Sequence, residues 1–130
     1  MLNEVSIMGR MTKDPELRYT ASNIPVCYFT LACDRDIKNK DGERQTDFIN
    51  CVAWRQTGEF VSKYFHKGSM AIATGRLEVS SYKKDGENRT SVNVNAERVY
   101  FGEKKTTSDK LDELKRKFEN VTEADGDLPF

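Results

Sequence analysis

The segment 45–55, QTDFINCVAWR, alternates in a way that restricts what the chain can fold into. Successive side chains of a β-strand point to opposite faces of the sheet. One face here would carry small apolar side chains suited to a core, namely Ile49, Cys51 and Ala53. The other face would carry Phe48, Asn50, Val52 and Trp54. Burying Phe48 and Trp54 as well would require a second packed layer, so we predict that this face is an aromatic platform for a ligand with flat rings.

Strand-like segments dominate the rest of the first hundred residues. Alternation recurs at 3–11, 24–33, 70–82 and 89–101, and Leu17–Tyr19 forms a short extended piece. Gly9 is predicted to mark a bend or a close backbone approach. The odd positions of the strand at 70–82, Leu77 and Val79 included, are expected to face inward. Two charged segments that contain Asp-Gly, 34–44 and 83–88, are typical of protruding hairpin tips.

A single short helix interrupts the strands after residue 55. Its apolar residues share one helical face, Thr57 is expected to be its N-cap, and Gly68 supplies its C-terminal stop. Three strands, one helix and two strands predict an all-β fold, a five-stranded Greek-key barrel of the OB type. Barrels of this type bind oligonucleotides or oligosaccharides on one sheet face, so the fold alone leaves the ligand open.

Composition narrows the class of protein. The chain has 130 residues, of which 32% are charged and 10% are aromatic, which fits one folded domain rather than a wholly disordered chain. No apolar run approaches the length of a membrane span and no signal peptide is recognised, so we expect a cytoplasmic protein. The candidate metal ligands Cys27, Cys33, Cys51 and His66 lack the spacing of a zinc site. We therefore expect reduced, mostly buried cysteines, no metal and no cofactor.

Charge divides the chain into a mildly basic body and an acidic tail. Residues 1–105 hold 17 Lys and Arg against 14 Asp and Glu, whereas residues 106–130 hold 4 against 7. This plan is common among nucleic-acid binders that also recruit proteins, but an ordinary domain with a solubilising tail would look the same. We expect a domain at 1–103, a linker at 104–122 and an acidic tip at 123–130, giving a flexible or partly helical tail.

Two patterns stand out in that tail. An apolar stripe of helical spacing runs through the linker, formed by Leu111, Leu114, Phe118 and Val121. The chain then ends in acids followed by Leu-Pro-Phe, which combines two apolar anchors with a terminal carboxylate. We predict a partner-binding tip composed of Asp125, Asp127, Leu128, Pro129 and Phe130.

Aromatic and basic residues together indicate a path for a single-stranded nucleic acid. Stacking supplies roughly 1–3 kcal/mol per base whatever the sequence, and cations follow the phosphates. The exposed stacking candidates are Phe48, Trp54 and Tyr82, while Tyr19, Tyr28 and Tyr100 are expected in the core or at the rim. The phosphate-contacting candidates lie on strand ends or loops that flank the platform: Arg10, Lys13, Arg18, Arg55, Arg76, Lys83, Lys84 and Arg89.

An ordered set of short motifs resembles the bacterial and phage single-stranded DNA-binding proteins of the homotetrameric OB-fold family. The matching motifs are Asn3-Glu4-Val5, Gly9-Arg10, Asp14-Pro15-Glu16-Leu17-Arg18-Tyr19, Thr30-Leu31-Ala32, Gln45-Thr46-Asp47-Phe48, Lys67-Gly68-Ser69, Gly75-Arg76-Leu77 and Asp127-Leu128-Pro129-Phe130. The resemblance implies that Phe48, Trp54 and Tyr82 stack on bases. It places a fourth stacking position at Ile37, where an aliphatic side chain can pack on a base but has no ring.

The resemblance also implies assembly and partners. A homotetramer, a dimer of dimers, would use an interface containing Val5, Ser6, Met8 and Ile49. The tip would recruit replication, repair and recombination proteins, and the protein would associate with the nucleoid. The linker is shorter than is usual in the family.

Three other classes compete with this interpretation. An OB-fold nuclease would need clustered carboxylates or a base with a phosphate-clamping Arg, and the acids here lie mostly in hairpin tips, so we expect no enzyme. An OB-fold adaptor, similar to a primosome protein, would act mainly through protein contacts. A duplex-DNA binder is disfavoured because no recognition helix carries a basic face.

Overall fold

The structure is a computed structural model that describes residues 1–103 and Leu114. Within residues 1–103 the chain forms six strands and one helix. They are β1 (Val5–Met11), β2 (Glu16–Tyr19), β3 (Pro25–Lys38), β4 (Arg44–Trp54), α1 (Arg55–Tyr64), β5 (Met70–Lys84) and β6 (Glu87–Phe101). The predicted helical stripe of the linker, Leu114 apart, and the acidic tip lie outside the described residues.

Five of the strands close into a barrel. The hydrogen-bonded order is β1-β5-β6-β4-β3-β2, and an additional pairing of β1 with β3 closes the ring and leaves β2 as a short outer strand. The pairing of β4 with β6 is parallel and the others are antiparallel. The five-stranded OB-type barrel predicted from the sequence is therefore confirmed, with Leu17–Tyr19 included in β2.

Gly9 permits the barrel to close. A Cβ atom at this position would lie 2.6 Å from the backbone oxygen of Ala32, which is closer than real Cβ contacts come. Gly9 lies where the pairing partner of β1 changes from β5 to β3. A side chain at this position would keep the β3 backbone from approaching, so only glycine fits. The predicted close backbone approach is confirmed.

The core fills the barrel and extends beneath α1. Its fully buried members include Leu31, Val61, Val94 and Cys27. At the end covered by α1, the rings of Phe65 and Phe101 stack with centroids 4.8 Å apart, and Phe60 meets both rings edge-on. Val61 is buried in the same layer, so the helix seals this end of the barrel.

The helix begins differently from the prediction. Its N-cap is Trp54, and no side chain caps it. Thr57 was wrongly predicted as the cap: its Oγ1 donates a hydrogen bond of 3.1 Å to the backbone oxygen of Glu97 instead. The physical reason is that Arg55, with φ at 57°, turns the chain directly from β4 into α1 without a loop. No helix in the described part of the chain is long and apolar enough to cross a membrane.

Two hairpin arms project from the barrel. The β3–β4 arm ends in an Asp-Gly turn in which Asn39 Oδ1 accepts hydrogen bonds from the backbone N–H groups of Asp41 and Glu43. The β5–β6 arm ends at Asp85-Gly86, where both residues have positive φ, as a primed hairpin turn requires. Both predicted hairpins are confirmed, but the loop predicted at 34–44 is shorter, because β3 continues to Lys38 and pairs there with Arg44 of β4.

The prediction that Leu77 and Val79 face inward is wrong. Both are exposed, as is Val92, which pairs with Val79. A register irregularity follows Thr74, and beyond it β5 runs past the barrel with β6 as its partner. Alternation put Leu77 and Val79 on one side of the strand but could not show that this half of β5 extends beyond the barrel core.

Candidate nucleic-acid interface

The outward side chains of β3 and β4 form one continuous surface, here called the aromatic face. Phe48 and Trp54 lie on it as expected, 68% and 41% exposed, while Cys51 and Ala53 on the other side of β4 are buried. Six residues separate the two rings, which is roughly 20 Å along an extended strand. Between them Thr30 pairs with Asn50, and the Thr30 hydroxyl donates a 3.0 Å hydrogen bond to Asn50 Oδ1. Phe48 and Trp54 are thus too far apart to clamp one ring between them.

A cleft of about 520 Å³ continues the aromatic face past Trp54. It lies between the start of α1 and the point where β5 and β6 leave the barrel, and its lining includes Trp54, Arg55, Arg76 and Asn95. Arg55, whose backbone is left-handed, follows Trp54 directly in the chain, and both residues line the cleft. Asn95 Nδ2 donates to Glu78 Oε1 at 2.9 Å, and Arg76 pairs with the same carboxylate at 3.1 Å. The Trp54 ring can take a base and Arg55 can meet its neighbouring phosphate, whereas Arg76 would first have to leave Glu78.

The two arms carry the remaining predicted stacking positions. Tyr82 lies in β5 opposite Arg89, is half-exposed, and is followed by Lys83 and Lys84. Ile37 lies near the end of the β3–β4 arm and is 82% exposed. Tyr82 and Ile37 both lie outside the aromatic face of the barrel. They would therefore contact a ligand only if it extends beyond that face.

Ion pairs divide the predicted phosphate contacts into two groups. Arg10 forms a pair with Glu103 at 3.1 Å and also donates to the Gly68 backbone oxygen at 3.0 Å. Arg18, Arg76 and Arg89 also have carboxylate partners, with Arg89 the most loosely held at 3.8 Å. Among residues 1–103, no carboxylate lies within 4 Å of the charged groups of the other four, Lys13, Arg55, Lys83 and Lys84. These four cations can meet a phosphate without first breaking an ion pair.

Sequence reasoning missed an ion pair at the base of the β3–β4 arm. Arg35 donates from Nε and Nη2 to the two carboxylate oxygens of Asp47, each at 3.0 Å, and from Nη1 to Gln45 at 3.0 Å. The hydrogen bonds from Arg35 lower the pKa of the Asp47 carboxyl. Because Asp47 precedes Phe48 in β4, this fork fixes the strand that presents the ring. Only the cross-strand register reveals it, since twelve residues separate the partners.

Tyr19, Tyr28 and Tyr100 are all exposed, so their alternative placement in the core is wrong. Tyr100 lies with Met8 and Ile72 on a second outward surface, since Met8 pairs with Ile72 and Ile72 with Tyr100. The predicted interface residues Ser6 and Met8 point outward on β1, whereas Val5 and Ile49 are half-buried and pack against the core.

Burial raises the pKa values of the cysteine thiols. It raises the pKa of Cys27 to about 11 and, with a smaller contribution from Cys33, the pKa of Cys51 to about 12. All three thiols are free. In the described part of the chain no cluster of three or more His, Cys, Asp or Glu could hold a metal ion.

A closed five-stranded barrel with one helix and an exposed aromatic sheet face defines the class of OB-fold ligand-binding barrels. The chain belongs to the single-strand binding protein family, whose sequence model matches residues 2–102.

Relatives with curated names support this assignment. The chain is 49% identical to a single-stranded DNA-binding protein of Halalkalibacterium halodurans over 78% of its own length and 61% of the relative's. It is also 49% identical to single-stranded DNA-binding protein A of Bacillus subtilis, over 81% of this chain and 62% of that one. Single-stranded DNA-binding protein 3 of Streptococcus agalactiae is 39% identical and aligns over the full length of both chains. The chain thus spans about three fifths of the first two relatives.

Proposed function

We propose that this protein binds single-stranded DNA without sequence specificity, by base stacking on the aromatic face and by phosphate contacts. The observation that carries the proposal is the exposure of Phe48 and Trp54 on one face of β4, with Arg55, which no carboxylate of residues 1–103 holds, lining the same cleft as Trp54. Exposed rings on a sheet stack on any base, whereas paired bases in a duplex offer no ring face. The names of the relatives support the same ligand.

Assembly and recruitment are finer parts of this proposal. A homotetramer, a dimer of dimers, would cover the apolar side chains of Met8, Ile72 and Tyr100 that the single chain leaves partly exposed. The acidic tip would recruit replication, repair and recombination proteins, and the protein itself would act without catalysis, in association with the nucleoid.

Titration with oligo(dT) tests the DNA proposal. Trp54 is the only tryptophan in the chain, so its fluorescence reports one place on the aromatic face. Oligo(dT) should quench this fluorescence strongly. The logarithm of the association constant should fall linearly with the logarithm of the salt concentration, with a slope of about −0.7 for each phosphate contacted. A duplex of the same length is the control. Equal affinity for the duplex, or no quenching by oligo(dT), would reject the proposal, and consumption of the oligonucleotide would indicate a nuclease.

The tip is tested separately. Deletion of residues 127–130 should leave the affinity for oligo(dT) unchanged or slightly raised and abolish pull-down of replication and repair enzymes. A large loss of DNA affinity would show that the tip belongs to the DNA site.

A further inference from the structure

Tyr28 lies on the aromatic face between the levels of Phe48 and Trp54. In the pairing of β3 with β4 it stands opposite Val52, while Ala32 stands opposite Phe48 and Val26 opposite Trp54. Tyr28 is therefore two residues from the level of Trp54 and four from that of Phe48, or roughly 7 Å and 14 Å along the strand. Its side chain shares the outward face with both, and it is 44% exposed.

The Tyr28 ring already has a cation, the guanidinium of Arg18, stacked over it. The guanidinium carbon of Arg18 lies 5.5 Å from the centroid of the Tyr28 ring, within the range of a cation–π contact. Arg18 is itself held by Glu16, whose Oε1 accepts hydrogen bonds from Nε at 3.0 Å and from Nη2 at 2.8 Å. The Glu16 carboxylate thus orients the planar guanidinium over the ring in the free protein.

Charge at this position favours a base over a phosphate. Arg18 and Glu16 are in direct contact and together neutral, and the carboxylate would repel a phosphate that approached the pair. An uncharged ring stacked on the open side of Tyr28 meets no such penalty.

We propose that Tyr28 is a further base-stacking position of the DNA path, with Arg18 as the residue that positions its ring. This inference rests on the proposed function. It moves Arg18 from the predicted phosphate contacts to a supporting role, and it makes the path continuous where the spacing of Phe48 and Trp54 leaves a gap.

A ring-removing substitution tests the inference. Tyr28→Val keeps a good strand former and should weaken oligo(dT) binding at least about fivefold, the lower end of the effect of removing one stacked base. Tyr28→Phe should bind like the parent. Because stacking releases no counterions, the salt slope of Tyr28→Val should be unchanged, whereas Lys83→Gln should lower it by about 0.7 if Lys83 contacts a phosphate.

The chain supplies a matched control in Tyr64. It is 51% exposed and also carries a cation over its ring, since Lys63 Nζ lies 5.3 Å from the centroid. Tyr64 lies in α1, away from the aromatic face, so Tyr64→Leu should leave the affinity unchanged. The thermal midpoint of each variant shows whether it is folded.

Chemical protection gives a second test that needs no variant. Tetranitromethane should nitrate both Tyr28 and Tyr64 in the free protein, and bound oligo(dT) should slow nitration of Tyr28 at least about fivefold while leaving Tyr64 unchanged. Failure of the parent protein to bind oligo(dT) would reject the proposed function itself. Two results would overturn this inference alone, provided that the parent binds oligo(dT). One is an affinity of Tyr28→Val within twofold of the parent's affinity, and the other is no protection of Tyr28 from nitration.

Discussion

Replacing Phe48 with Ala separates DNA binding from folding. The ring is 68% exposed and belongs to none of the aromatic pairs in the described part of the chain, so its loss should change the free energy of unfolding by less than about 0.5 kcal/mol. If Phe48 stacks on a base, the same change should remove roughly 1–3 kcal/mol of binding free energy. That corresponds to an affinity for oligo(dT) lower by about 5- to 150-fold.

Phe101 provides the opposite case. Its ring stacks on Phe65 at 4.8 Å beneath α1, although half of its surface is exposed. Truncating a fully buried Phe costs about 3–5 kcal/mol, so Phe101→Ala should lower the free energy of unfolding by about half as much, near 2 kcal/mol. It should leave oligo(dT) affinity within about twofold of the parent, a change below the effect of losing one stacked base.

The assay pairs two measurements on each variant. Trp54 fluorescence gives the affinity for oligo(dT), and urea unfolding followed by circular dichroism gives the stability. We expect Phe48→Ala to lose affinity alone and Phe101→Ala to lose stability alone. An affinity for Phe48→Ala within twofold of the parent would refute the assignment of this ring to the DNA path.

Three further predictions follow from single features of the structure. Ile37→Trp supplies a ring on the β3–β4 arm and should tighten oligo(dT) binding by up to about tenfold; unchanged affinity would mean that the path does not reach this arm. Gly9→Ala places a methyl group against the β3 backbone and should lower the free energy of unfolding by roughly 1–3 kcal/mol, as measured by urea unfolding, and a stability equal to the parent's would contradict the tight closure. Burial keeps the pKa of Cys51 at about 12, so at pH 8 a disulfide reagent should label the half-buried Cys33 first and Cys51 only after unfolding. Labelling of Cys51 as fast as Cys33 in the native protein would show that the barrel opens.

Local sequence patterns predicted the barrel because each strand obeys its own alternation. Phe48 and Trp54 could be placed on the outer face of β4 from their spacing alone, and Gly9 and the Asp-Gly turns could be read from residue type. These features depend on neighbours within a few residues of the chain. They are the part of the fold that sequence reasoning reaches directly.

The features that could not be predicted depend on which strands meet and where they leave the barrel. Leu77 fits the alternation, but it is exposed because it lies beyond Gly75, where the pairing of β5 with β1 ends. The pairing of Arg35 with Asp47 requires the register of β3 against β4. The contact of Arg18 with Tyr28 requires the pairing of β2 with β3, and a four-residue strand gives little periodicity from which to infer that pairing.

Photocrosslinking of bound DNA tests the central claim most directly. A bound oligo(dT) that carries 5-iododeoxyuridine should attach, on irradiation, to peptides that contain Phe48 and Trp54, because their rings lie on the proposed path. Attachment points identified by mass spectrometry locate the strand without any substitution in the protein. Crosslinks on β3 and β4 are predicted. Crosslinks concentrated on the opposite outward surface, at Met8 and Tyr100, would contradict the account.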